Sequence, residues 1–158
     1  MKKALLLFLP GLLLAACTKE STKTIEDELN PPIGETPELT LLSVSSTSVV
    51  QYADSLVFTV QYLDGDGDLG TSDPDATPLE LVDQRDPDQL IFGYHLPPLA
   101  PAGSEIAIQG ELRVVLQNTI LLDPDSESET TTFTLRLQDR AGNWSNEVET
   151  EVITIWKE

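Results

Sequence analysis

Apolar and polar residues alternate along much of this chain with a period of two. From Ser55 to Leu63, Leu56, Phe58, Val60 and Tyr62 fall on one face, and Val57, Thr59, Gln61 and Leu63 on the other. Phe133, Leu135 and Leu137 repeat the pattern against Thr132, Thr134 and Arg136. Such alternation predicts strands with one buried face. Leu39 to Val44, Leu79 to Val82, Leu90 to Leu96, Glu105 to Leu116 and Asn146 to Trp156 are further strand candidates, most of them bounded by clusters of Pro, Gly, Asp or Asn. No long stretch sustains an apolar period of 3.6 residues. About seven strands in succession, with turns between them, predict an all-β antiparallel sandwich rather than a βαβ fold. Ile153 and Ile155 fall out of phase with Val148, Val152 and Trp156, so the last strand either carries a bulge or is buried on both faces.

The N-terminus follows a different rule. Lys2 and Lys3 precede an apolar run from Ala4 to Leu14, broken by Pro10-Gly11, and Leu14-Ala15-Ala16-Cys17 closes it with small residues and a cysteine. This resembles a lipobox, the motif at which the lipoprotein pathway acylates the thiol and cuts just before it. The run is well short of the roughly 20 residues that span a bilayer, so lipid on Cys17 is the expected anchor. Each buried methylene contributes about 0.8 kcal/mol, and two or three acyl chains hold where one is marginal. Residues 1–16 are therefore expected to be a cleaved signal. Residues 17–37, mixing Ser, Thr, Glu and Pro without apolar period, read as a lipidated N-terminus and flexible linker, and 38–158 as the folded domain. The implied location is the cell envelope, at the outer membrane on its periplasmic or outer face.

Charge narrows the partners. Asp and Glu number 27 against 9 Lys and Arg, for a formal net charge of -18, and loss of the signal removes two lysines more. So acidic a body disfavours nucleic acid and bare anionic lipid as direct partners and favours cations. Cys17 is the only cysteine, which rules out an intramolecular disulfide. Catalytic signals are weak: His95 is the only histidine, set in an apolar run, and no nucleophile turn surrounds any serine. The expectation is a protein that is not an enzyme.

Two motifs carry a resemblance. Asp139-Arg140-Ala141-Gly142-Asn143-Trp144-Ser145, followed by an alternating strand, is similar to the turn between the last two strands of many bacterial immunoglobulin-like domains. Gly and Asn tolerate positive φ there, and the Asp carboxylate can accept from turn amides. With Asp64-Gly65-Asp66-Gly67-Asp68-Leu69-Gly70 placed early, the stretch from about Pro37 onward also resembles small lipoproteins of Bacteroidota whose function is unknown. The resemblance implies an immunoglobulin-like sandwich and an envelope location, and no activity.

The early motif carries the one candidate for ion chemistry. Carboxylates at alternate positions repel one another unless a hard cation sits among them, and glycines let the loop curl around it. Asp64, Asp66 and Asp68 resemble the start of an EF-hand loop, with Asp75 at its twelfth position; Leu69 stands where that family has its turn glycine. The alternatives are bound Ca2+ and a solvated acidic turn. If Ser55 to Leu63 and the strand ending at Gln138 are strands B and F of the sandwich, their following loops share one end, which adds Asp139 and Asn143 to the metal set. The acidic tract Asp123 to Glu129 reads as a solvated loop.

Two function classes follow. One is a lipid-anchored, non-catalytic module, calcium-stabilised, with a structural role or a protein ligand. The other is a surface carbohydrate-binding or adhesion component of an outer-membrane assembly, which requires an exposed aromatic platform, for which Trp144 and Trp156 are the candidates, or a concave polar site.

Overall fold

The computed structural model describes residues 33–158; the signal, Cys17 and most of the expected linker lie outside the described residues. The described part contains ten strands: β1 (Glu38–Val44), β2 (Ser48–Val50), β3 (Leu56–Asp64), β4 (Leu79–Asp83), β5 (Ile91–Tyr94), β6 (Ile108–Leu116), β7 (Ser128–Thr131), β8 (Phe133–Leu137), β9 (Val148–Glu149) and β10 (Ile153–Trp156). Among the described residues no helix is long and apolar enough to cross a membrane.

One layer is the antiparallel sheet β1-β3-β6. The other combines β5-β4-β8-β9 with β2-β10-β7, because Thr132 alone parts β7 from β8, and residues 150–152 part β9 from β10. β1 and β2 are likewise two halves of a first strand, which leaves β3 and crosses layers to run parallel to β10. With those three pairs each taken as one strand, the ten segments become the seven that alternation predicts. The fold is an immunoglobulin-like sandwich, with β3 in the place of strand B and β7–β8 in that of strand F.

The phase break in the last strand is a bulge. Thr134 pairs with Glu149 and Thr131 with Ile153, so three steps on one strand face four on the other. The extra residue turns Val152 to solvent and Ile153 and Ile155 into the core. The two layers meet at Phe58 of β3 and Phe133 of β8, whose rings pack edge to face with centroids 5.4 Å apart. Leu56, Val60, Leu81, Leu135 and Leu137 are buried around them, as period two requires.

Two segments depart from the sequence reading. β2 is too short to show a period. β7 lies partly within the acidic tract, so that tract is not simply a solvated loop: Glu129 accepts from the amides of Leu122 and Asp123 and pairs with Arg85. Arg85 also grips the buried Asp83, which accepts from Thr131 Oγ1 at 2.6 Å. This cluster fastens the end opposite the acidic motif and contributes nothing to it.

Candidate metal centre

β3 ends at Asp64, which is completely buried. A carboxylate there must find donors or a cation, since an unpaired charge out of water is costly. Asp64 Oδ2 accepts from the Asp68 amide at 3.0 Å, which curls the loop back on itself. Gly67 allows the curl: its φ is +73, and a Cβ would collide with the Ile106 carbonyl. Asp68 Oδ2 accepts from the Ala141 amide at 3.0 Å, and the Asp68 carbonyl from the Arg140 amide at 3.3 Å. The loops after β3 and β8 thus meet at one end, as the sandwich topology predicts.

Each of the three aspartates retains an oxygen without a partner. Oδ1 of Asp64, of Asp66 and of Asp68 is shielded from solvent and reached by no hydrogen bond. One carboxylate oxygen from each residue lies within 4.8 Å of the others. Two ligands of one calcium ion, each about 2.3–2.6 Å from it, stand at most about 5 Å apart, so the cluster matches the span of a single coordination sphere. Without a cation, burial first, and then the neighbouring Asp66, Asp68 and Asp139, push the Asp64 carboxyl up to about 6. Burial, Asp139 and Asp66 also raise Asp68. The arrangement disfavours its own charge, and a divalent cation would relieve that.

The remaining residues of the expected metal set divide. Asp139 is buried beside the cluster, but both its oxygens are in use: Oδ1 accepts from the Asn143 amide at 2.7 Å and Oδ2 from Asn143 Nδ2 at 2.8 Å. Asp139 and Asn143 therefore brace the turn that presents the Ala141 amide. Asp75 stands apart as an exposed residue whose amide is bonded to Asp73 Oδ1. The EF-hand spacing fails because Leu69 plunges into the core and the Thr71 amide binds the Leu96 carbonyl, which leads the chain away before position 75.

Sequence reasoning missed three contributors. The Ala141 amide is a backbone donor with no side-chain signature. Arg140 donates to the Gly70 carbonyl at 3.1 Å and its charge lowers the Asp68 carboxyl against the larger raising effects. Ile33 and Gly34 lie against Gly65, a contact whose only trace in the sequence is the glycine itself.

Elsewhere, His95 is exposed, with Nδ1 3.2 Å from the Ala76 carbonyl. Trp144 carries the Arg136 guanidinium 4.3 Å from its ring centre. Trp156 is 47% exposed and donates from Nε1 to Ser48 Oγ, at the other end of the last strand from Trp144. The two rings do not form one platform.

Fold and site together define an immunoglobulin-like sandwich with an acidic pole. No family model matches the chain, and no curated protein matches it. Among solved structures, that of a mutant SrpA adhesin from Streptococcus sanguinis is similar, with 19% identity and a TM-score of 0.39, over 78% of this chain and 60% of that one. The chain thus spans about three-fifths of that structure's length.

Proposed function

We propose that this chain is a lipid-anchored envelope protein whose sandwich is a non-catalytic module stabilised by one calcium ion on Asp64, Asp66 and Asp68. The observation that carries the reading is the set of three solvent-shielded Oδ1 atoms without hydrogen bonds, at one end of the fold. Calcium suits the set better than magnesium, which holds on to several waters and uses one or two carboxylates. Because the oxygens are shielded and their loop is tied to the turn after β8, the ion serves the fold. The anchor rests on the lipobox ending at Cys17.

Thermal unfolding of the mature protein in EDTA, in calcium and in magnesium tests the ion. With a dissociation constant on the order of 0.1–1 mM, as in extracellular modules, a hundredfold excess of calcium adds about 2.7 kcal/mol. A calcium-specific rise in Tm, abolished in Asp66→Ala, is expected; an unmoved wild type would leave only an acidic turn. Mass spectrometry tests the anchor. A diacylated or triacylated Cys17 is expected, and retention of residues 1–16 in Cys17→Ser; an unmodified mature cysteine would end the lipoprotein reading.

A further inference from the structure

Gly65 sits between two of the three aspartates, and its amide donates to the Gly34 carbonyl at 2.9 Å. A Cβ at Gly65 would lie 2.5 Å from the Ile33 oxygen and 2.6 Å from the Gly34 oxygen. Its φ is not among the left-handed glycine values, so closeness of the crossing chain, not backbone conformation, requires glycine here. The segment that crosses is the root of the expected tether. Further along, Pro37 is fully buried, and Asn146 binds both the amide and the carbonyl of Leu39, at 2.8 and 2.9 Å. Residues 33–39 are thus held at a firm inner point, Leu39, and at an outer point, Gly34, which rests on the acidic loop.

The outer point depends on the shape of that loop. Three crowded carboxylates oppose the curl that aims the Gly65 amide outward, and a cation among them favours it. We propose that the metal loop is also a latch for the tether: calcium on Asp64, Asp66 and Asp68 fixes Gly65 against Ile33 and Gly34, and its loss frees residues 33–36, up to the buried Pro37. This rests on the calcium reading and adds a regulatory consequence. Release adds at most roughly 13–14 Å of free chain outward of Pro37, at about 3.3–3.6 Å per extended residue.

The test is amide hydrogen exchange by mass spectrometry at residues 64–68, beside cleavage after Glu35 by a glutamate-specific protease, on the mature lipidated protein in detergent, in calcium and in EDTA, for wild type, Asp66→Ala and Gly65→Ala. In wild type, calcium is expected to slow exchange about tenfold or more in residues 64–68 and, in parallel, cleavage after the exposed Glu35. Asp66→Ala should lose both effects. Gly65→Ala leaves every carboxylate in place, so 64–68 should still respond while Glu35 is cut fast in either buffer. Slowing at 64–68 of wild type with cleavage after Glu35 unchanged would overturn the latch and leave the calcium reading standing. No calcium effect in wild type would overturn both. Cleavage after Glu35 as slow in Gly65→Ala as in wild type would show that this contact does not hold the tether.

Discussion

The backbone amide of Ala141 donates to Oδ2 of Asp68 at 3.0 Å, joining positions 73 residues apart in the chain. Through this bond a loop that follows β3 in one layer is shaped by a turn that follows β8 in the other. The carboxylate is held by one oxygen, which leaves Oδ1 directed into the acidic cluster without a donor. A hydrogen bond to a charged acceptor is stronger than a neutral one, so the turn has leverage on where Asp68 stands.

Asp139→Ala should therefore weaken the site without destroying it. The substitution removes both bonds to Asn143 and should lower stability by about 1–3 kcal/mol. A calcium titration of Tm is expected to keep its rise but move it to higher concentration, whereas Asp66→Ala should show no rise. If the two variants lost the response equally, Asp139 would be a ligand rather than a brace.

The interlayer ring pair makes a sharper demand on the fold. Phe133 is fully buried against Phe58, and truncation to alanine should cost about 3–5 kcal/mol in urea unfolding, a large share of a typical domain's stability. Its neighbour Thr134 points the other way and accepts one bond from Gln84 on an exposed face, so Thr134→Ala should cost under about 1 kcal/mol. Similar costs for the two would refute the strand phase.

What the sequence disclosed follows from which interactions are periodic. Leu56, Phe58 and Val60, like Phe133, Leu135 and Leu137, announce their strands because every second residue enters the core. The bulge was visible only as a clash of phases, and choosing between a bulge and two-sided burial needed the pairing of Thr131 with Ile153. β7 escaped notice because Ser128, Glu129 and Thr130 are polar: they satisfy a neighbouring strand and Arg85 rather than a hydrophobic layer. At the site, alternate aspartates among glycines marked Asp64, Asp66 and Asp68, and topology placed Asp139 beside them. Spacing could not show that Asn143 would occupy both oxygens of Asp139, or that Leu69 would divert the chain from Asp75.

At the far end, pH should report on the Arg85 cluster. The Leu122 and Asp123 amides and the Arg85 guanidinium hold Glu129 below its usual value near 4.5, outweighing the opposing effect of burial. A carboxyl lowered in the folded state binds protons more readily when unfolded, so its stabilisation is present above the unfolded value and is lost as pH falls through the folded one. The unfolding free energy of wild type should exceed that of Glu129→Gln at pH 7, and the difference should shrink below about pH 4.5. A difference constant from neutral to acid pH would mean that Glu129 acts by shape rather than charge.

Tyr52, in the turn between β2 and β3, has φ of +60, and the residue is 62% exposed. A bulky residue in the left-handed region is strained by roughly 1–3 kcal/mol, and an exposed ring recovers little of that through burial. The turn does not need the ring: the Tyr52 amide donates to the Thr119 carbonyl, the amides of Ala53 and Asp54 to the Val50 carbonyl, and the Val50 amide to Asp54 Oδ2. Asparagine enters this conformation more easily than tyrosine, keeps the same amide, and avoids the added unfolded-state freedom that glycine would bring. Tyr52→Asn should therefore match wild type in urea unfolding or exceed it by up to about 1 kcal/mol. A loss of more than about 1 kcal/mol would mean that the ring packs on its surroundings enough to offset the strain. A gain would mark Tyr52 as a residue kept at a cost to stability, and would make it the first position to substitute when a binding partner for this end of the sandwich, opposite the acidic pole, is tested.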